Sequence, residues 1–181
     1  LVTEDTEVPL QGCRILHVPA LNSTATMRII AAHSDADYTL FYTKYTTLKL
    51  GMFALERMTR IAEDSVAGMV YADHYQVSEG IQKNAPVVDY QFGSLRDDFN
   101  FGSVLLYKAS APQEAVTRMK TDYQFAGLYD LRLKLSQKES LVHINEYLYS
   151  EIENDTRNSG EKIFDYVDPK NRGVQIEMEQ A

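Results

Sequence analysis

Five short apolar runs recur along the chain: "CRILHV" (13–18), "YTLFY" (38–42), "VAGMVYA" (66–72), "SVLLYKA" (103–109) and "SLVHI" (140–144). Each is too short for a typical helix and is bounded by polar or turn-forming residues, which is the pattern of buried strands. Helical periodicity fills much of the space between them. Ser23 or Thr24 offers an N-cap ahead of Met27, Ile30 and Ala31, and Leu55, Met58, Ile61 and Ala62 form one stripe. Ser110 and Pro112 open a third helix, and Phe125, Leu128, Tyr129, Arg132 and Leu135 mark a fourth, with the arginine stem lying along its apolar side. Strands separated by helices need crossover connections, so the expected fold is α/β with a mainly parallel, mixed central sheet.

The 181 residues, 44% of them hydrophobic, suffice for one sizeable core, and the size prior favours one folding unit. A formal net charge of -8 and the lack of any Lys/Arg block argue against nucleic acid or an anionic membrane as partner. No apolar stretch approaches the roughly 20 residues of a membrane span. The opening "LVTEDTEVPL" has neither the basic start nor the apolar middle of a secretory signal, so the expected location is cytoplasmic. Cys13, the single cysteine, excludes an internal disulfide and a cysteine-based zinc site.

Residues 74–102 interrupt the alternation with a turn at Glu79-Gly80, a short β pattern and the loop "GSLRDDFNFG". In that loop Arg96, Asp97 and Asp98 lie between Gly93 and Gly102, beside Phe92, Phe99 and Phe101. Rings that stack on apolar sugar faces beside carboxylates that accept hydroxyl hydrogen bonds suit a carbohydrate site; the structural alternative is a packed loop in which Arg96 pairs an aspartate. "YADHY" (71–75) places Asp73 and His74 at a strand end, where open α/β sheets bind ligands; Asp73 is a candidate for metal or sugar, or a turn former. His17, His33 and His143 stand isolated, and His143 inside "LVHI" reads as a satisfied core or edge residue. No Ser-His-Asp spacing, P-loop or G-x-G-x-x-G occurs. From Asn154 the sequence turns polar, and Asp168-Pro169 then opens a last helix, so residues 154–181 read as an extension to a domain spanning 1–153.

The run "YDLRLKLS", followed by "LVHI" and "NEYLY", resembles the C-terminal half of the family-two glycosyltransferases, with their D-L-x-x-R-L helix, strand and glutamate-L-Y segment. "ADYTLFYTKYTTLKLGMFALERM" resembles the family's metal-binding strand and the segment after it, and "FGSVLLYKAS" resembles the strand before its acceptor-side helix. The similarity covers roughly residues 22 to 150. "GSLRDDFNFG", "YDLRL" and "SGEKIFDYVDPKN" further resemble a subgroup from Bacteroides-like bacteria. The resemblance implies a three-layer GT-A-type, Rossmann-like domain that transfers a sugar from a nucleotide-diphospho-sugar to a hydroxyl of a glycan or other acceptor, with Mg²⁺ or Mn²⁺ as the possible cofactor. In that register the first β-α-β nucleotide-binding unit is shortened, absent from the chain or replaced by residues 1–17.

Two chemical positions of the family pattern are altered. Thr43-Lys44-Tyr45 stands where an Asp-x-Asp belongs, and Lys44 is either a point cation for a diphosphate or a solvated lysine. Asp35-Ala36-Asp37 precedes the strand and reads as a helix-exit turn. The acidic pair that supplies the base aligns with Gly127-Leu128, which leaves Asp130 as the remaining catalytic or acceptor-binding candidate, beside the alternative of an ion-paired surface residue. The expected site therefore comprises Asp130 and Asp98 as catalytic residues, Arg96, Asp97, Asp73 and Lys44 as substrate-binding ones, and Asp73 as the candidate metal ligand. The competing expectations are a catalytically degenerate carbohydrate-binding or assembly module, and a purely structural partner-binding domain. Further expected partners are a second copy or an additional C-terminal domain.

Overall fold

The computed structural model describes residues 2–3, 12–153 and 172–181. The fold is α/β, with helices on both faces of a central mixed sheet. In chain order the elements are β1 (Val2–Thr3), β2 (Leu16–His17), α1 (Thr24–Ala32), β3 (Tyr38–Tyr42), β4 (Thr47–Leu50), α2 (Ala54–Asp64), β5 (Met69–Ser78) and β6 (Ile81–Ala85). They continue with β7 (Val104–Lys108), α3 (Ser110–Arg118), α4 (Gly127–Ser136), β8 (Leu141–Ile152) and α5 (Arg172–Gln180). The order across the six-stranded sheet is β3-β7-β5-β8-β4, and β6 pairs β5. At its centre β5 and β8 run parallel from Met69↔Leu141 to Val77↔Ile152; the pairings β3/β7, β5/β7, β4/β8 and β5/β6 are antiparallel. β1 and β2 form a separate parallel pair.

Strand periodicity divides the core. Met69, Tyr71, Leu105 and Tyr107 face one side and pack with Met27 of α1, Ala111 and Ala115 of α3, and Leu131 and Leu135 of α4. Val70, Ala72, Val104 and Leu106 face the other and pack with Ala54, Met58 and Ala62 of α2. Because β7 and the first four residues of β5 are covered on both sides, they read as continuous apolar runs without alternation, whereas the second half of β5 alternates.

Local signals placed several boundaries. Ser23 Oγ accepts the N–H of Thr26 and caps α1. Glu79 and Gly80, both at positive φ, turn β5 into β6 with Ser78 opposite Ile81, a two-residue hairpin. Elsewhere the chain departs from the expected elements. "LVHI" does not stop before a new start: β8 continues through "NEYLY" to Ile152, because its second half pairs with both β4 and β5. β4 itself carried no recognised signal. The buried stripe on α4 is Gly127, Asp130, Leu131 and Leu135, about one position round from the expected one; Phe125 is partly exposed, while Leu128 still packs on the core. The Arg132 guanidinium lies over the Phe101 ring at 5.5 Å. "SGEKIFDYVDPKN" and the Asp168-Pro169 helix start lie outside the described residues. Among the described residues no helix is long and apolar enough to cross a membrane.

Candidate functional site

Asp73 and His74 do not end their strand or form a turn. β5 runs on to Ser78, and the irregularity sits on its parallel neighbour: Ala72 faces Ile144, Asp73 faces Tyr147 and His74 faces Tyr149, so β8 inserts extra residues there. The bulge lies midway along the two parallel strands, and regular alternation sends Asp73 and His74 of β5 to opposite faces of the sheet.

On the face of α1, α3 and α4, Asp73 is 2% exposed. Its Oδ1 accepts the Val87 N–H at 2.9 Å and lies 2.9 Å from His143 Nε2. The other ring nitrogen, Nδ1, lies 2.6 Å from Oδ1 of Asp89, a residue whose side chain is 82% exposed. Tyr71 stacks on the imidazole with centroids 5.1 Å apart. The Tyr71 hydroxyl donates to the Val88 carbonyl and accepts the Tyr90 N–H, so β5 pins the segment carrying Asp89 through two side chains. Burial pushes the Tyr71 phenol up to about 12, which keeps it neutral in these bonds.

On the face of α2, His74 stacks on Tyr149 with centroids 4.9 Å apart and planes 5° from parallel. Its Nε2 lies 3.4 Å from Glu151 Oε1, yet neither atom makes an aligned hydrogen bond, and Nδ1 has none either, so the contact is electrostatic. Glu151 Oε2 accepts from Lys44 Nζ; the carboxylate is buried and the lysine is 44% exposed. Burial lowers the His74 pKa, against the pull of Glu151, and the Lys44 charge lowers it further. The Tyr149 hydroxyl accepts the N–H groups of Ser103 and Val104, and Gly102, at φ +77, makes room for it, since a Cβ there would collide with that oxygen.

The expected site residues fall into separate environments. Asp73 and Lys44 belong to the two clusters on either face of the β5 bulge. Asp130 is buried in the first turn of α4 and pairs with Lys134 at 2.8 Å. Arg96 and Asp98 form an exposed ion pair at 3.3 Å, which is the packed-loop alternative in part, with Phe99 and Phe101 inward and Phe92 outward. Arg96 and Asp97 line an open groove with Tyr129 of α4 and Gln175, Met178 and Glu179 of α5. Among the described residues no three His, Cys, Asp or Glu side chains are placed to hold a metal ion.

Gly127 has no room for a side chain. A Cβ at this position would run into the backbone of Ser23 and Thr24, where the starts of α1 and α4 meet, so a carboxylate cannot stand there in this packing. Sequence reading missed Asp89, Glu151, Tyr149 and the role of His143. The available signal was the register: once β5 and β8 are parallel neighbours, "YAD" and "VHI" lie side by side and bring His143 to Asp73.

No family model matches the chain, and no curated protein is significantly similar to it.

Proposed function

We propose that the chain is a glycosyltransferase-like domain that transfers a sugar from a nucleotide-diphospho-sugar to a hydroxyl acceptor such as a glycan. The reading is supported by one observation above the others: charged and polar side chains gather on the two faces of the bulge midway along the parallel strands β5 and β8, with Lys44 following β3. Bulges of this kind are over-represented next to active sites, where they re-aim side chains. The resemblance of residues 22–150 to the transferase family adds the nucleotide-sugar chemistry.

The residues present do not fit the family's divalent metal. Thr43, Lys44 and Tyr45 occupy the Asp-x-Asp position, and the Lys44 ammonium is held by Glu151. A lysine fixed by one buried carboxylate and open to solvent on its other side can meet a diphosphate as a point cation. Calorimetric titration with UDP-glucose and GDP-mannose, each with Mn²⁺ and with EDTA, tests this. Binding of equal strength in both conditions is expected; binding that requires Mn²⁺ would remove the lysine from this role.

A second reading has its own observation in Gly127, which excludes the expected base from its aligned position. On that reading the domain is a carbohydrate-binding or assembly module without catalysis. Donor binding with no release of nucleoside diphosphate, with water or methyl glucoside as acceptor, would favour it.

A further inference from the structure

Among the described residues, β3, β4 and β6 each have a neighbouring strand on one side only, and the three free edges are not alike. β4 carries Lys49 and β6 carries Lys83, both exposed, and such charges are how an edge strand resists pairing with another chain. β3 reads Tyr38-Thr39-Leu40-Phe41-Tyr42, without a charge and with three aromatic rings.

Register fixes which backbone groups of β3 stay open. The Thr43 N–H donates to the Ser103 carbonyl at 3.0 Å and the Ala109 N–H to the Asp37 carbonyl at 2.9 Å, so the odd-numbered residues exchange bonds with β7. Tyr38, Leu40 and Tyr42 point their N–H and C=O groups outward, and among the described residues no hydrogen bond reaches them. Their side chains pack on the core of the α2 face and Phe41 packs on the opposite one, so the strand is anchored on both faces while its outer backbone is open.

We propose that β3 pairs antiparallel with β3 of a second copy of this chain and continues the sheet across a two-fold axis at Leu40. The strand's own symmetry selects a second copy as the partner. About Leu40, Tyr38 comes opposite Tyr42 and Thr39 opposite Phe41, and every outward N–H meets an outward C=O. Tyrosine pairs, with Leu40 against itself between them, then lie together on the α2 face. Asp35 and Asp37 settle the direction. Parallel pairing in register would set each against its own copy, whereas antiparallel pairing places them opposite Tyr45 and Thr43. The contact is isologous, so it closes at two chains and leaves no β3 edge to propagate. It holds whether or not the domain transfers a sugar.

Sedimentation and amide hydrogen exchange on the full chain test the proposal. The wild type is expected to sediment at twice the 20.6 kDa mass of one chain. The Tyr38, Leu40 and Tyr42 amides are expected to be protected in proportion to dimer content, with Thr39 and Phe41 protected at every concentration by β7. A monomer at the concentrations used for NMR overturns the proposal, as does a dimer whose three outward amides exchange freely. Protection of those amides in a monomer also overturns it, and assigns the edge to another segment of the same chain. Leu40→Lys and Leu40→Glu put like charges on the axis: each alone is expected to be monomeric, and an equal mixture to form a one-to-one dimer. A Leu40→Lys protein that stays dimeric, or a mixture that is folded by circular dichroism and stays monomeric, overturns the interface. The wild-type exchange pattern decides independently of whether these variants fold.

Discussion

On one side of the β5 bulge, Asp73 meets a backbone N–H and a histidine that continues to a second carboxylate; on the other, His74 meets a carboxylate it does not hydrogen-bond and an aromatic ring. Both residues are about 2% exposed and adjacent in sequence. The difference lies in what the neighbouring strand brings. His143 sits before the extra residues of β8 and stays in register with Tyr71, within reach of Asp73, whereas Tyr149 and Glu151 arrive after them. Burial of a polar group is tolerated where its bonds are completed and costs stability where they are not. The Asp73 side is a completed network and the His74 side an uncompleted one, held together mainly by charge.

The largest expected effect falls on the uncompleted side. Lys44→Met leaves the buried Glu151 carboxylate without its cation and should cost about 3–5 kcal/mol, read as a lower midpoint in urea denaturation. A loss below about 1 kcal/mol would mean that Glu151 is accommodated without a partner, and the contrast between the faces would weaken.

Next comes the pair that separates the two histidines. His143→Phe leaves Asp73 with only the Val87 N–H and should destabilise by about 2–3 kcal/mol. His74→Phe keeps the stack on Tyr149 and removes two unbonded nitrogens, so stability should stay within about 1 kcal/mol of wild type or rise. Equal losses in the two variants would break the comparison.

pH sharpens it further. The folded His74 pKa is lowered by burial from its ordinary 6.5, so the folded state prefers the neutral ring. This stability is present above pH 6.5 and is lost as pH falls through the lowered value, because the unfolded chain binds the proton first. His74→Phe should flatten the dependence in that window, which denaturation midpoints between pH 7 and 5 would show.

The smallest effect belongs to α5. α4 has no side-chain cap, and Glu177 instead ties down the segment leading into it: its carboxylate accepts the N–H groups of Gln124, Phe125 and Ala126. These bonds lower its pKa from 4.5 despite partial burial. The stabilisation is therefore present above pH 4.5 and lost below it, a window distinct from that of His74. Glu177→Gln should cost about 1 kcal/mol at pH 7 and less at pH 4, with faster amide exchange confined to residues 124–126.

Several elements were legible without coordinates because their signals are local. The Ser23 cap, the Glu79-Gly80 hairpin and the apolar runs of β5 and β7 depend on neighbours a few residues away. β4 and the second half of β8 were not, since β4 exists only as a partner of β8 about 100 residues on, and that half of β8 only as a partner of β4 and β5. The candidate site divides the same way. Asp73 and Lys44 stood out as polar residues just after the apolar runs of β5 and β3, although β5 continues past Asp73. Their partners His143 and Glu151 lie 70 and 107 positions away, Asp89 lies 54 from His143, and none carries a motif.

The amino-acid sequence by itself determined the α/β alternation, the positions of the caps and tight turns, and the absence of carboxylates at residues 43–45, because each follows from residue type and short-range periodicity. Tertiary structure alone decided which strands run parallel, how far β8 extends and which carboxylate meets which histidine. The physical reason is strand register: side chains alternate faces every residue, so a few inserted residues on β8 settle whether a buried polar group of β5 finds a partner.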